Sequence, residues 1–230
     1  MDFLRFYVIM KLRCILIQKE RQQGGIFMKT GNRSRQTTLL GLLTAILMVL
    51  SMTPLGYLNI GPLAISFNMI PVAVGAAALG PVGGAVLGAV FGMTSFLQCI
   101  GIGGSSAMGV ILFDINPLFA FLQRFVPRLM TGFLVGLIYR GARKFCRAPV
   151  AGGVAGFFAA ALNTVLFMGA LILLYGDTQY LTDLMAGRNV VVFICTFVGV
   201  NALAEMLVST VVTGALCSAL ERARLMGGQK

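Results

Sequence analysis

Long runs of apolar residues recur along this chain, divided by short stretches rich in glycine, proline and basic residues. The first run, residues 37–53 (TTLLGLLTAILMVLSMT), ends where Pro54, Gly56 and Asn59 supply turn signals. A second helix is expected at 65–79, stopping at Gly80-Pro81, and a third at 82–97. The glycine- and serine-rich GIGGSSAMG of 101–109 follows and reads as a flexible loop. Three longer runs complete the series: a fourth helix at 117–139, a fifth at 150–174 and a sixth at 189–220. A spanning helix needs about 20 mostly apolar residues, so this length holds six spans with short loops and no sizeable extramembrane domain. The expected fold is all-α, a single six-helix integral membrane bundle. Its second and third spans are short and flanked by Gly and Pro, a form of broken helix that a bilayer tolerates where it lines a cavity.

Composition agrees with the pattern: 58% of the 230 residues are hydrophobic and 11% are charged, where soluble domains carry about a quarter charged. A net charge of +11 raises the question of nucleic acid. That reading needs basic residues spread over a water-exposed face with polar or aromatic company, and here they cluster between apolar runs, so no nucleic-acid partner is expected. Lys29, Arg33 and Arg35 precede the first helix, Arg140, Arg143, Lys144 and Arg147 link the fourth to the fifth, and Arg222, Arg224 and Lys230 come last. Six spans place these groups on one face. The loops at 54–64, 98–116 and 175–188 fall on the other, with Asp114, Asp177, Asp183 and a single Arg188. Because cytoplasmic loops retain Lys and Arg, both termini are expected to be cytoplasmic and those three loops external.

Several chemistries are excluded. The chain has no histidine, the usual general base and the commonest metal ligand, and its five cysteines (Cys14, Cys99, Cys146, Cys195, Cys217) stand singly with no CxxC. Neither a metal site nor a disulfide framework is expected, and no cofactor. Gly101, Gly103 and Gly104 are not followed by GK[ST], so they form no nucleotide loop. Without histidine or a paired-carboxylate motif, a membrane enzyme is not expected.

Residues 1–27 are read apart from 28–230. They are basic and partly apolar, as in a signal peptide, but KERQQ follows where a small-residue cleavage site belongs. Gly24-Gly25 lies just before Met28, and a Gly-Gly pair can be encoded by GGAGG, the purine run that positions bacterial ribosomes, so translation is expected to start at Met28. A short interfacial amphipathic helix is the other reading of this stretch.

Glycines spaced by four mark close helix contacts. Gly80, Gly84, Gly88 and Gly92 stripe the third helix, Gly132 and Gly136 the fourth, and Gly152 and Gly156 the fifth. Gly41 and Ala45 repeat the spacing in the first helix, where the stripe suits either intramolecular packing or a partner protein. Among the few polar groups inside spans, Arg124 and Arg128 lie one turn apart in LQRFVPRLM, with Glu205 in the sixth helix. An arginine at such depth costs a few kcal/mol and faces a water-filled cavity or an anionic partner. Two readings stand: internal pairing with Glu205 or Asp114, or capture of an anionic substrate. Asn68, Gln98, Asn116, Asn163 and Asn201 add neutral hydrogen-bonding groups on several helices, resembling the sparse polar set that orients a ligand in an apolar pocket.

One succession of segments carries a resemblance. TPLGYLNIGPLAISFNMIPV closes the first span, GAAALGPVGGAVLGAVFGMTSF follows, and a Gly/Ser-rich loop leads to FVPRLMTGFLVGLIYR, then ALNTVLFMGAL and NALAEMLVS. From Met28 to about Arg224 the chain resembles the substrate-binding S components of energy-coupling factor vitamin transporters. The resemblance implies a six-helix membrane domain in a bacterial cell membrane that captures a water-soluble vitamin from outside. The energy then comes from its partners, a membrane coupling subunit and two cytoplasmic ATPases. Family members dock the coupling subunit with an AxxxA pattern on the first helix, matched here by Gly41 and Ala45. Carried over, ligand contacts point to 55–67 and to Asn68, Gln98, Asn116, Arg128, Asn163 and Asn201. The run TPLGYLNIGPLAISF with IPVAVGAAALGP is most similar to pantothenate-type members, with riboflavin and folate as other candidates. A self-sufficient secondary transporter or small channel, with Glu205 or Asp114 as proton site, is the alternative.

Overall fold

The computed structural model describes residues 34–53, 56–60, 63–103, 106–179 and 190–223; for 57–60, 63–66, 107 and 190–201 it describes the backbone alone. The expected start at Met28 and the alternative helix in 1–27 lie outside these residues. The chain divides into two compact units, Met1–Thr38 and Leu39–Lys230. In the first, the Thr38 hydroxyl donates back to the Ser34 carbonyl at 3.0 Å. The architecture below is that of the second.

Six α-helices, one β-hairpin and a short 3-10 helix at Gln98–Ile100 are the regular elements of the described residues. The α-helices and strands are α1 (Ser34–Met52), β1 (Tyr57–Ile60), β2 (Leu63–Ser66), α2 (Met69–Leu97), α3 (Ala107–Ile115), α4 (Pro117–Ala142), α5 (Ala148–Tyr175) and α6 (Val190–Arg222). Five of the helices are long and apolar enough to cross a membrane. α2 is itself double. Gly80 takes φ 82° and ψ −173° inside it, and a Cβ at Gly84 would stand 2.7 Å from the Ala76 Cβ, while one at Gly75 would strike the Leu87 side chain. Residues eight apart on a straight helix are separated by about 12 Å, so the chain folds back at Gly80-Pro81 into two adjacent arms. The left-handed φ is why glycine stands there, since a side chain is rarely accommodated in it. Counting the arms separately gives the expected six apolar segments, with the break where the sequence places it.

Two expectations are corrected. The segment at 65–66 is not helix but the end of an antiparallel hairpin in which Tyr57 pairs with Ser66 and Ile60 with Leu63. The Phe67 amide donates to the Gly56 carbonyl at 3.0 Å. The stretch ending at Gly109 is not loop throughout, because α3 begins at Ala107. Ser106 caps it, accepting from the Gly109 amide at 3.3 Å, which satisfies one of the donors that a helix start leaves unpaired.

The core is built on close backbone contact. α4 runs antiparallel to the second arm of α2, and a Cβ at Gly84 would collide with the Gly132 carbonyl, one at Gly88 with that of Arg128, and one at Gly92 would lie 2.8 Å from the Phe125 Cα. Farther along the chain, Gly156 of α5 meets the Ser209 carbonyl of α6 in the same way. Three of the glycine stripes are therefore intramolecular seams. Gly132→Ala is expected to destabilise the isolated protein by about 2–3 kcal/mol, because the obstruction is backbone and the helices must separate; thermal unfolding in detergent measures this. On α1 the rows diverge. Leu43 and Leu47 are buried in the core with Met69, Val72, Leu87 and Phe91, whereas Gly41 and Ala45 are exposed, with nothing within 4 Å of a Cβ added at Gly41.

Candidate ligand-binding site

Polar groups gather at the end of the bundle that carries the hairpin and α3, the end opposite the Arg143–Glu221 ion pair (2.8 Å) that ties α4 to α6. Ser51 on α1 joins two of the expected residues. Its hydroxyl donates to Asn68 Oδ1 at 3.4 Å, and its carbonyl accepts from Gln98 Nε2 at 2.5 Å. Asn68 is fully buried, and its Nδ2 has no partner. The Gln98 carbonyl accepts from the Ser106 amide at 3.4 Å, and the Ser106 hydroxyl accepts from Arg124 Nη2 at 3.3 Å. Asn68, Gln98 and Arg124 are thus linked through two serines.

Deeper in, α4 presents both arginines. From Pro117, Arg124 lies about 10 Å and Arg128 about 16 Å along the helix, the latter near the middle of a bilayer core about 30 Å thick. Each is only 6% exposed. Arg128 Nη1 donates to the Arg124 carbonyl at 2.7 Å, and its guanidinium sits 4.6 Å from the Phe91 ring centroid and 5.0 Å from that of Phe167. The Arg124 guanidinium lies 5.3 Å from the same Phe167 ring. Its other contacts are hydroxyls, Ser95 Oγ and Ser106 Oγ at 3.3 Å each, and Nε has no partner. No carboxylate among the described residues pairs with Arg124, and Asp114, one of the two acids expected to neutralise the arginines, is exposed on α3. A desolvated guanidinium served by neutral hydroxyls and a ring face has the chemistry to receive an anion.

Across from α4, α5 supplies Phe167 and, one turn earlier, Asn163, whose Oδ1 is buried without a partner. Asn116 is used differently: its Oδ1 caps α4, accepting from the Leu118 and Phe119 amides at 3.0 and 3.3 Å, while its carbonyl accepts from the Tyr175 hydroxyl at 3.2 Å. Asn201 lies on α6, but its side chain is outside the described residues. Phe91, Ser95, Ser106 and Phe167 complete the site without having been singled out in the sequence, since an aromatic or serine inside a span carries no signal until packing sets it against a cation. Gln123 was passed over beside Arg124. It is fully buried, and neither polar atom of its side chain has a partner.

Residues 35–217 match the family described as "ECF transporter, substrate-specific component". The chain is 24% identical over 204 residues to the pantothenic acid transporter PanT of Lactococcus lactis subsp. cremoris, an alignment covering 84% of this chain and 97% of that protein. It is also 24% identical over 212 residues to the pantothenate transporter PanT of Leuconostoc mesenteroides subsp. mesenteroides, covering 86% and 100%. With a matching family over most of its length, relatives that are transporters and helices fit to cross a bilayer, this chain belongs to the substrate-specific components of ECF transporters, as a multi-pass membrane protein of transport and not an enzyme.

Proposed function

We propose that this chain captures pantothenate from the cell exterior and presents it to a membrane coupling subunit driven by two cytoplasmic ATPases. The observation that carries the reading is Arg124, a buried cation whose partners are two hydroxyls and a phenylalanine ring. A ligand carboxylate completes its coordination, with Arg128 adding a second positive charge beside Phe167. Pantothenate also carries hydroxyls and an amide, which suit the carboxamides of Asn68, Gln98 and Asn163. Support comes further from the two relatives named for pantothenate. Orientation follows from charge: the basic turn with Arg140, Arg143, Lys144 and Arg147 lies at the other end from the site, so cytoplasmic placement of that turn opens the site outward.

Titration calorimetry on the detergent-purified chain is the test. Pantothenate is expected to bind one to one, with riboflavin and folate giving no heat. Binding of either of those in its place would overturn the pantothenate reading. Uptake into vesicles by this chain alone, driven by an ion gradient, would overturn the dependence on ATPases.

A further inference from the structure

Guanidinium and amide nitrogens can only donate, and that fixes the roles of the two serines beside Arg124. Ser95 Oγ accepts from Nη1 and Ser106 Oγ from Nη2, each at 3.3 Å. Ser106 Oγ also accepts from the Gly109 amide at 3.3 Å. A hydroxyl has two lone pairs and one hydrogen, so at Ser106 both lone pairs are taken and the hydrogen alone remains. Thr94, next to Ser95 on α2, and Thr131 on α4 spend theirs on carbonyls of their own helix, Phe91 at 3.0 Å and Pro127 at 2.7 Å. Ser95 and Ser106 do not. Neither hydroxyl hydrogen has an acceptor among the described residues.

The start of α3 holds these groups in place. The Ser106 amide donates to the Gln98 carbonyl at 3.4 Å, and its carbonyl accepts from the Val110 amide at 2.9 Å, so its backbone is tied on both sides of the side chain. A Cβ at Gly109 would lie 3.0 Å from Arg124 Nη2 and 2.8 Å from Cys99 Sγ. The missing side chain lets the guanidinium rest against the first turn of α3, the end at which a helix dipole adds positive potential. Of the five N–H donors of a guanidinium, the serines take two, and Nε is among those left. The cluster therefore surrounds a buried charge with N–H and O–H donors and, at Ser106, offers no acceptor.

Resting on the reading of this site as one for a carboxylate, we propose that Ser106, assisted by Ser95, donates its hydroxyl hydrogen to the carboxylate that Arg124 holds, and so selects acid over alcohol. An ionised carboxylate only accepts, and it answers every donor of the cluster. An alcohol in its place brings a hydrogen that Ser106 cannot accept and no charge to set against the guanidinium, which is how a polar site rejects a near-isostere.

The experiment titrates the full chain and its Ser106→Gly, Ser106→Thr and Ser95→Ala variants with pantothenate and with pantothenol, its alcohol analogue. Glycine serves at a helix start almost as well as serine, so Ser106→Gly removes the hydroxyl and leaves α3 intact. Hydrogen bonds to charged groups are the strong ones, so Ser106→Gly is expected to bind pantothenate more than about tenfold more weakly, with pantothenol affinity within about twofold of wild type. Ser95→Ala is expected to lose about fivefold in the same direction. Ser106→Thr keeps both hydroxyl and cap, and its pantothenate affinity is expected to stay within about threefold of wild type. A serine that only capped α3 and steadied Arg124 behaves otherwise: its loss frees a guanidinium N–H for the ligand, and the preference for the acid is kept or raised. That result, an equal loss for acid and alcohol, or a failure of Ser106→Thr to restore binding would each overturn the assignment. If wild type binds no pantothenate, the vitamin reading falls, and the melting temperatures of wild type and Ser106→Gly are compared in acetate, with chloride matching the ionic strength. Acetate stabilising wild type but not Ser106→Gly keeps the role of the serine for another acid, and equal effects on the two chains remove that role as well.

Discussion

Arg124→Met is expected to weaken pantothenate binding about a hundredfold or more, because truncating one partner of a desolvated, hydrogen-bonded charge pair costs about 2–5 kcal/mol. Methionine fills similar space without charge. The Ser95 and Ser106 hydroxyls lose a donor, but the Arg128 contact survives because it is made to the Arg124 backbone carbonyl. The ligand-free variant is therefore expected to stay folded, relieved of a buried charge that no described carboxylate offsets. A comparison with pantothenol, the alcohol analogue, separates charge recognition from general damage: wild type prefers the acid, and Arg124→Met binds both alike. Arg128→Met is expected to lose both affinity and stability, since that side chain also packs on Phe91 and Phe167. Full affinity in folded Arg124→Met would show that the carboxylate binds elsewhere.

How this site was legible, and where it was not, follows from the kind of signal each residue leaves. Gly80-Pro81 announces a break, and the chain turns back there. The four-residue glycine spacing forecasts the seams at Gly84, Gly88, Gly132 and Gly156, because only a missing Cβ admits a second backbone so closely. Arginines in an apolar run are conspicuous by cost. Asn116 was equally visible, but Asn-Pro is also a helix-start signature, and capping claimed its carboxamide oxygen. The hairpin left a weak trace, since strands of four residues in an apolar chain share their composition with the spans around them. α3 was masked by the glycines and serines that precede it, although Ser106 was the cap. Gln123 illustrates a harder limit. A glutamine inside a span reads as a helix-to-helix bridge, and only the packed structure shows both of its polar atoms without a partner among the described residues.

Gly41→Leu combined with Ala45→Leu is expected to abolish ATP-driven pantothenate uptake in vesicles containing the chain, its coupling subunit and the ATPases, while pantothenate binding to the isolated chain stays within about twofold. The contrast rests on which face of α1 is already occupied. Leu43 and Leu47 are buried against α2, so the four-residue row of large side chains holds the helix in its own bundle. Gly41 and Ala45 form a parallel row that is exposed, and nothing within the chain approaches Gly41. In lipid, small residues at this spacing matter through the close approach they permit to another helix, because tails are as apolar as leucine and no hydrophobic gain drives association. Leucines there are therefore harmless to the isolated protein and obstructive to a partner. Gly132→Ala is the reverse case, a smaller change that damages the isolated protein because its partner backbone is already in place. Uptake at the wild-type rate in the double variant would move the docking surface off α1, and loss of binding by the isolated chain would return these two residues to the internal fold.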